Sequence, residues 1–433
     1  MQRSVPGEEA RPATVTRPRG GDLPMSDNFC NFVINMQRLL YHILPLLLTL
    51  ISVSACSSDD TPDAPPPAET RVSRTVLVYM IANNNLGSSY NSDNSDISEM
   101  LTGVKDGRLN GGRLLVYHNR PNRNGGTSNP PQLLDITENG MKELKTYTDA
   151  DGICSVSPER FRQVIADMKS IAPADEYALV LWGHGNGWII NPSDIKARSF
   201  GPDGSTWISL PAMARALEGE RFAFIYFDCC LMGNIEPLYE MRRLTDIIVA
   251  SPTQLGIDGM PYDMNVPLFF AEEPDLVQAA KNTFDSYRSF QNQMCVIDTR
   301  HLDDLAAASR DIFRTLAAYP AAADVDRLQK LGQYKVMYQS YTIAHDMDQY
   351  MEMLCTAAGR TDLLEEWRQI LDSTVIYKAS TETSIDYPGI PITRYCGLGS
   401  YVIREAGDIT FREYDTLAWW KDVVSAAPAY SAK

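Results

Sequence analysis

The sequence predicts an α/β domain built on a mostly parallel central sheet. Apolar runs of strand length recur from residue 75, stretches with helical spacing separate several of them, and the composition is ordinary for a globular chain. The runs are 75–81 (TVLVYMI), 113–118 (RLLVYH), 177–182 (YALVLW), 222–227 (FAFIYF), 246–250 (DIIVA) and 294–298 (MCVID). Runs without polar interruption suit strands covered on both faces, as parallel strands are. Between them, Ser157 offers an N-cap and Pro158 a first turn, and Phe161, Val164, Ile165 and Met168 then repeat at helical spacing. Stretches 209–220 and 234–244 bracket the fourth run in the same way. Strand alternating with helix is the pattern of a parallel sheet. From 264 onward the pattern is more helical, and it ends in a candidate strand pair, 389–395 with 397–405, and an amphipathic 414–427. The predicted organisation is a core over 73–263 and a C-terminal extension, 264–433, packed on it.

Residues 1–72 read as targeting, not fold. After Met36 come Arg38, an uncharged and mostly apolar run from Leu39, and then Val53-Ser54-Ala55-Cys56. Charge, apolar run and small-residue cleavage site make a signal peptide. The run is short of the roughly 20 residues that a membrane span needs. The cysteine at the cleavage point resembles a bacterial lipobox, so Cys56 is the expected lipidation site and 1–55 an upstream segment plus signal. Residues 56–72 then hold the lipidated cysteine and an acidic, Pro-rich tether. Acidic residues directly after the cysteine resemble the export signal of Bacteroidetes surface lipoproteins, which implies anchoring to the outer membrane of a Gram-negative bacterium, exposed at the cell surface.

The net charge is −16. Without residues 1–55 the chain keeps 34 basic and 51 acidic residues, or −17, so the acidity belongs to the folded part. No basic cluster interleaves with aromatics, which excludes a nucleic-acid surface and favours cationic partners. Beyond Cys56 lie Cys154, Cys229, Cys230, Cys295, Cys355 and Cys396, spaced neither as a disulfide framework nor as paired C-x-x-C metal sites.

Two strand ends carry the chemistry. The run 177–182 breaks into Gly183-His184-Gly185, and the run 222–227 ends on Asp228-Cys229-Cys230. In open α/β sheets, sites form at the carboxyl ends of strands. A histidine near a cysteine can take the thiol proton and later protonate a leaving amine. Spacing alone also allows a capping histidine and cysteines that only pack. Two adjacent cysteines do not supply the ligand spread of a tetrahedral zinc site, so no metal is assigned.

The motifs LWGHGNGW (181–188) and FDCCLMGNIEPLYE (227–240), with TVLVYMIANNNL (75–86) as first strand, resemble the clostripain family of cysteine peptidases. The resemblance extends through ASPTQLGIDGMPYD (250–263) and weakly to GLGSYVI (397–403). It implies a caspase-like α/β sandwich. It places the catalytic histidine on His184, the nucleophile on Cys230, the oxyanion hole on the backbone amides of Gly185 and Cys230, and the carboxylate that receives a substrate Arg or Lys on Asp228. Strand alternation agrees, since Asp228 and Cys230 would share one side and Cys229 the other. Cys229 stands where the family usually has a small alanine. The family's self-cleavage in the loop after the histidine would fall at Lys196 or Arg198. Clostripain depends on calcium, but no EF-hand-like run occurs here, and no cofactor is assigned. The expected function is cleavage of protein or peptide substrates after Arg or Lys. The rival expectations are a non-catalytic surface protein of the same fold that binds basic peptides, and a transferase or ligase using the same cysteine.

Overall fold

In the computed structural model the described residues are 71–121, 129–148, 152–189, 199–287, 291–336, 339–406 and 408–431. Cys56, the tether, Lys196 and Arg198 lie outside them. The first strand, β1 (Val72–Ile81), lies in the interior of a nine-stranded sheet. It runs parallel to β2 (Arg113–Asn119) on one side and β5 (Ala174–Trp182) on the other. Beyond β5 come β9 (Ile225–Asp228) and β10 (Ile247–Ala250), also parallel. Beyond β2 lie β3 (Gln132–Thr137) and β4 (Gly140–Thr146), an antiparallel pair that forms one edge of the sheet.

Alternation along these strands divides the core in two. Leu77, Tyr79 and Ile81 of β1 face one hydrophobic cluster with Leu179, Leu181, Ile225 and Phe227, covered by α2 (Pro158–Ile171), α3 (Leu210–Ala216) and α4 (Ile235–Met241). Val76, Val78 and Met80 face the other with Val180, Trp182 and Tyr226, covered by α1 (Ser92–Gly103), α5 (Tyr262–Phe269) and α6 (Leu276–Ser286). This is the expected sandwich, with helices on both faces. Ser157 caps α2 as its sequence predicts, its hydroxyl accepting from the Arg160 amide at 3.2 Å.

The residues after 264 add more than helices. Strand β11 (Gln293–Asp298) pairs antiparallel with β10, and β14 (Val375–Ser380) closes that edge against β11. The candidate strand pair 389–395 with 397–405 does not form. Instead β16 (Tyr387–Pro391) pairs with β15 (Thr383–Ser384), while β17 (Gly399–Ser400) pairs with β13 (Gln339–Asp346), itself paired with β12 (Lys330–Val336). The two segments instead join different sheets, each paired with another strand. Among the described residues no helix is long and apolar enough to cross a membrane.

Candidate active site

The register sets Trp182, the last residue of β5, opposite Asp228, the last of β9, so His184 and Cys230 leave adjacent strand ends. Gly183 has φ 149°, a conformation that side chains disfavour, and it turns the chain out of the main sheet. His184 and Gly185 then form β6, which pairs with β7 (Phe200–Asp203), and β7 in turn with β8 (Thr206–Ile208). Gly185 has a different reason to be glycine. A Cβ there would lie 2.3 Å from the Cys230 carbonyl oxygen and 3.2 Å from the Cys230 nitrogen. The histidine turn therefore sits directly on the cysteine backbone, which explains why His184 is flanked by glycines.

The His184 ring is half-buried, and burial lowers its pKa below the ordinary value. Its Nε2 lies 2.7 Å from Oδ1 of Asn85, and its ring centroid 6.4 Å from that of Trp207. Cys230 is engaged elsewhere. The Leu255 amide donates to its Sγ at 3.3 Å, and burial pushes the thiol up to about 11, with Asp386 and Asp228 adding to the rise. Among the described residues no hydrogen bond joins His184 to Cys230. Cys229 is buried, its Sγ 3.2 Å from the place a Cβ of Gly185 would occupy. The two cysteines thus point at different neighbours.

The segment over Cys230 is held from two directions. Leu231 donates its amide to Thr253 and Gly233 to Ser251, at 3.0 and 2.7 Å. From the far end of the chain, Asp386 accepts from the Gln254 side chain at 2.7 Å, and burial raises its carboxyl to about 6. Six residues after Cys230, Glu236 of α4 accepts from the Tyr401 amide at 2.9 Å and the Tyr414 hydroxyl at 2.8 Å. Burial pushes Glu236 up to about 7.

Asp228 is buried against α5. The Met260 amide donates to Oδ1 at 3.1 Å and the Tyr262 hydroxyl to Oδ2 at 2.9 Å, yet burial still raises the carboxyl to about 6. Close by, Asp96 of α1 accepts from the Trp182 indole, and burial together with Asp228 raises its pKa well above the ordinary range. Glu99 accepts from the Tyr262 amide at 3.0 Å and is also raised by burial. Asp258 is exposed on the connecting segment 251–261. The described residues thus gather acidic side chains around Asp228, where burial favours their protonated forms.

The sequence profile of the clostripain family matches residues 78–419. This chain belongs to the clostripain family. Among similar solved structures is an inactive zymogen C11 protease from Parabacteroides distasonis, 32% identical, with a TM-score of 0.68 over 82% of this chain and 99% of that one. Another is a secreted C11 cysteine protease from Bacteroides thetaiotaomicron in complex with an irreversible peptide inhibitor, 26% identical, with a TM-score of 0.64 over 81% and 99%. A search of curated protein sequences finds no significant match.

A clostripain-family chain is a cysteine peptidase, so its substrates are proteins or peptides. Sequence reasoning names His184, Gly185, Asp228 and Cys230, and all four stand at the ends of β5 and β9. It does not name Asn85, Asp96, Glu99, Leu255 or Asp386. The run Asn83-Asn84-Asn85 directly after β1 was a visible cue for the first. The others reach the site only through tertiary packing. Among the described residues no three His, Cys, Asp or Glu side chains gather as a metal site.

Proposed function

We propose that this peptidase cleaves after Arg or Lys through Cys230 and His184. The observation that carries the reading is the buried carboxylate of Asp228, two residues before the nucleophile and backed by Asp96 and Glu99. Such a group meets a substrate cation with an electrostatic preference that an uncharged side chain cannot copy. His184 takes the Cys230 proton as sulfur attacks the scissile carbonyl, and the oxyanion is received by the amides of Gly185 and Cys230. His184 then protonates the leaving amine, and water resolves the acyl-enzyme.

The resting thiol is un-ionised and faces Leu255, which supports a latent ground state. The similar Parabacteroides distasonis protein is described as an inactive zymogen. In this reading, activation follows self-cleavage after Lys196 or Arg198. The protein acts at the outer surface of a Gram-negative cell, anchored through lipid on Cys56.

The test is a set of fluorogenic peptides that differ only at the residue before the scissile bond. Arg and Lys peptides are expected to exceed Ala and Glu peptides in kcat/KM by roughly 100-fold or more, the scale of a lost buried charge contact. Rates independent of that residue would overturn the specificity.

A further inference from the structure

Three asparagines in succession, Asn83 to Asn85, follow β1 at the edge of the site, and they divide the work between them. Asn83 donates its side chain to Asp203 at 2.8 Å, and its amide donates to Asn119 Oδ1 at 3.1 Å. Asn84 donates to the carbonyls of Ile81 and Pro202 and accepts from the Leu86 amide at 2.9 Å. These bonds fix the turn to β1, β2 and β7. Gly87 closes it, because a Cβ there would lie 2.2 Å from the Ala82 carbonyl oxygen.

Asn85 stands at the N-cap position of the short helical turn Leu86–Tyr90, where an asparagine ordinarily caps. It does not cap. Leu86 is served by Asn84, and the Asn85 side chain goes instead to His184 Nε2 at 2.7 Å. An immobilised turn thus holds out one amide toward one ring nitrogen.

We propose that Asn85 is a positioning residue that holds His184 in the tautomer protonated on Nε2, leaving the Nδ1 lone pair as the base. The inference rests on the Cys230/His184 reading above. A hydrogen bond at one imidazole nitrogen decides which nitrogen carries the proton and fixes the plane of the ring. Oδ1 of Asn85 accepts from Nε2–H, so Nδ1 receives the Cys230 proton and later delivers it to the leaving amine. A neutral amide suits this site. A carboxylate in its place would stabilise the imidazolium and raise the pKa of the base, whereas the amide fixes orientation and leaves His184 neutral at rest.

The test reads tautomer and catalysis separately, on the full chain. Nitrogen-15 imidazole spectra, with His184 assigned by its absence in His184→Asn, should show an Nε2–H tautomer in the wild type. Asn85→Ala should give a mixed tautomer and a kcat lower by about 10- to 100-fold with KM within about threefold, the usual cost of losing an outer hydrogen-bond partner. Asn85→Asp should restore the Nε2–H tautomer and move the acid limb of the kcat profile to higher pH. An Nδ1–H tautomer in the wild type, or an unchanged tautomer and kcat in Asn85→Ala, overturns the proposal. The spectra need no substrate. Failure of the specificity reading would appear as rates independent of the residue before the scissile bond, and failure of the dyad reading as undiminished rates in His184→Asn, while the tautomer result stood.

Discussion

His184 is half-buried, hydrogen-bonded to one side chain from the end of the strand next to its own, and carried on a three-residue glycine turn. Cys230 is covered by the segment 251–256, which Asp386 clamps, and is backed by α4, which Glu236 ties to Tyr401 and Tyr414. His184 is set by its neighbours in the sheet. Cys230 is set by a segment that is itself held from the far end of the chain. Burial raises the Cys230 thiol to about 11 and lowers the pKa of His184, so for the proposed dyad the contrast puts control of reactivity on the cysteine side. It also explains why β11 and β14, which come after residue 264, belong to the same sheet as the site. They complete the edge beyond β10, from whose end the covering segment departs.

The largest expected effect breaks the cysteine side at its centre. Cys230→Ala should lower kcat/KM by about 10⁴-fold or more, as removal of a covalent nucleophile does. Cys229→Ala, which trims a buried side chain packed on Gly185, should keep activity within a few-fold and cost about 1 kcal/mol of stability. Denaturant melts and kcat/KM for both variants decide it. The reverse pattern would move the nucleophile to Cys229 and undo the contrast.

A smaller effect separates charge from fold. With its pKa near 6, Asp228 is protonated at low pH and carries full negative charge only well above that value. The advantage of an Arg substrate over an uncharged isostere should therefore grow as pH rises through about 6. In Asp228→Asn the advantage should be flat with pH and smaller by roughly 100-fold, while alkylation of Cys230 by iodoacetamide changes little. Comparing two substrates cancels the titration of His184, which affects both alike. Parallel losses in hydrolysis and alkylation would show that Asp228 only holds Met260 and Tyr262 in place.

The same contrast marks what could be read in the sequence. Strands β1, β2, β5, β9 and β10 are continuous apolar runs, and the two strand-end motifs are short, so both were legible. Strand β4 was not, because an exposed edge strand such as GMKELKT lacks an apolar run. Strand β17 is two residues long, and only its partner β13 makes it a strand. Asp386 and Glu236 were invisible as members of the site for a related reason. Their importance comes from burial beside Gln254 and Tyr401, and burial of a single acid leaves no periodic trace. Asn85 lies within the first-strand motif 75–86, but three consecutive asparagines are equivalent in sequence, and only their different partners tell them apart.

The smallest effect probes the support behind Cys230. Glu236 is fully buried, and its pKa is raised from 4.5 to about 7, so the folded chain binds this proton more tightly than the unfolded chain does. The sign follows directly. The stabilisation is complete below the unfolded value near 4.5 and is lost as pH rises through about 7, by an amount on the order of 3 kcal/mol. Glu236→Gln keeps an oxygen to accept from the Tyr401 amide and the Tyr414 hydroxyl and removes the titration. The wild type should therefore lose a few degrees more in Tm than Glu236→Gln between pH 5 and pH 8, a shift in the range that such an energy gives a chain of this size. If Tm falls equally in both proteins, Glu236 does not titrate between them, and the tie from α4 to residues 401–414 is a plain hydrogen bond. If the variant flattens the curve and also makes Cys230 alkylation less dependent on pH, the distant segments set both the stability and the reactivity of the cysteine side.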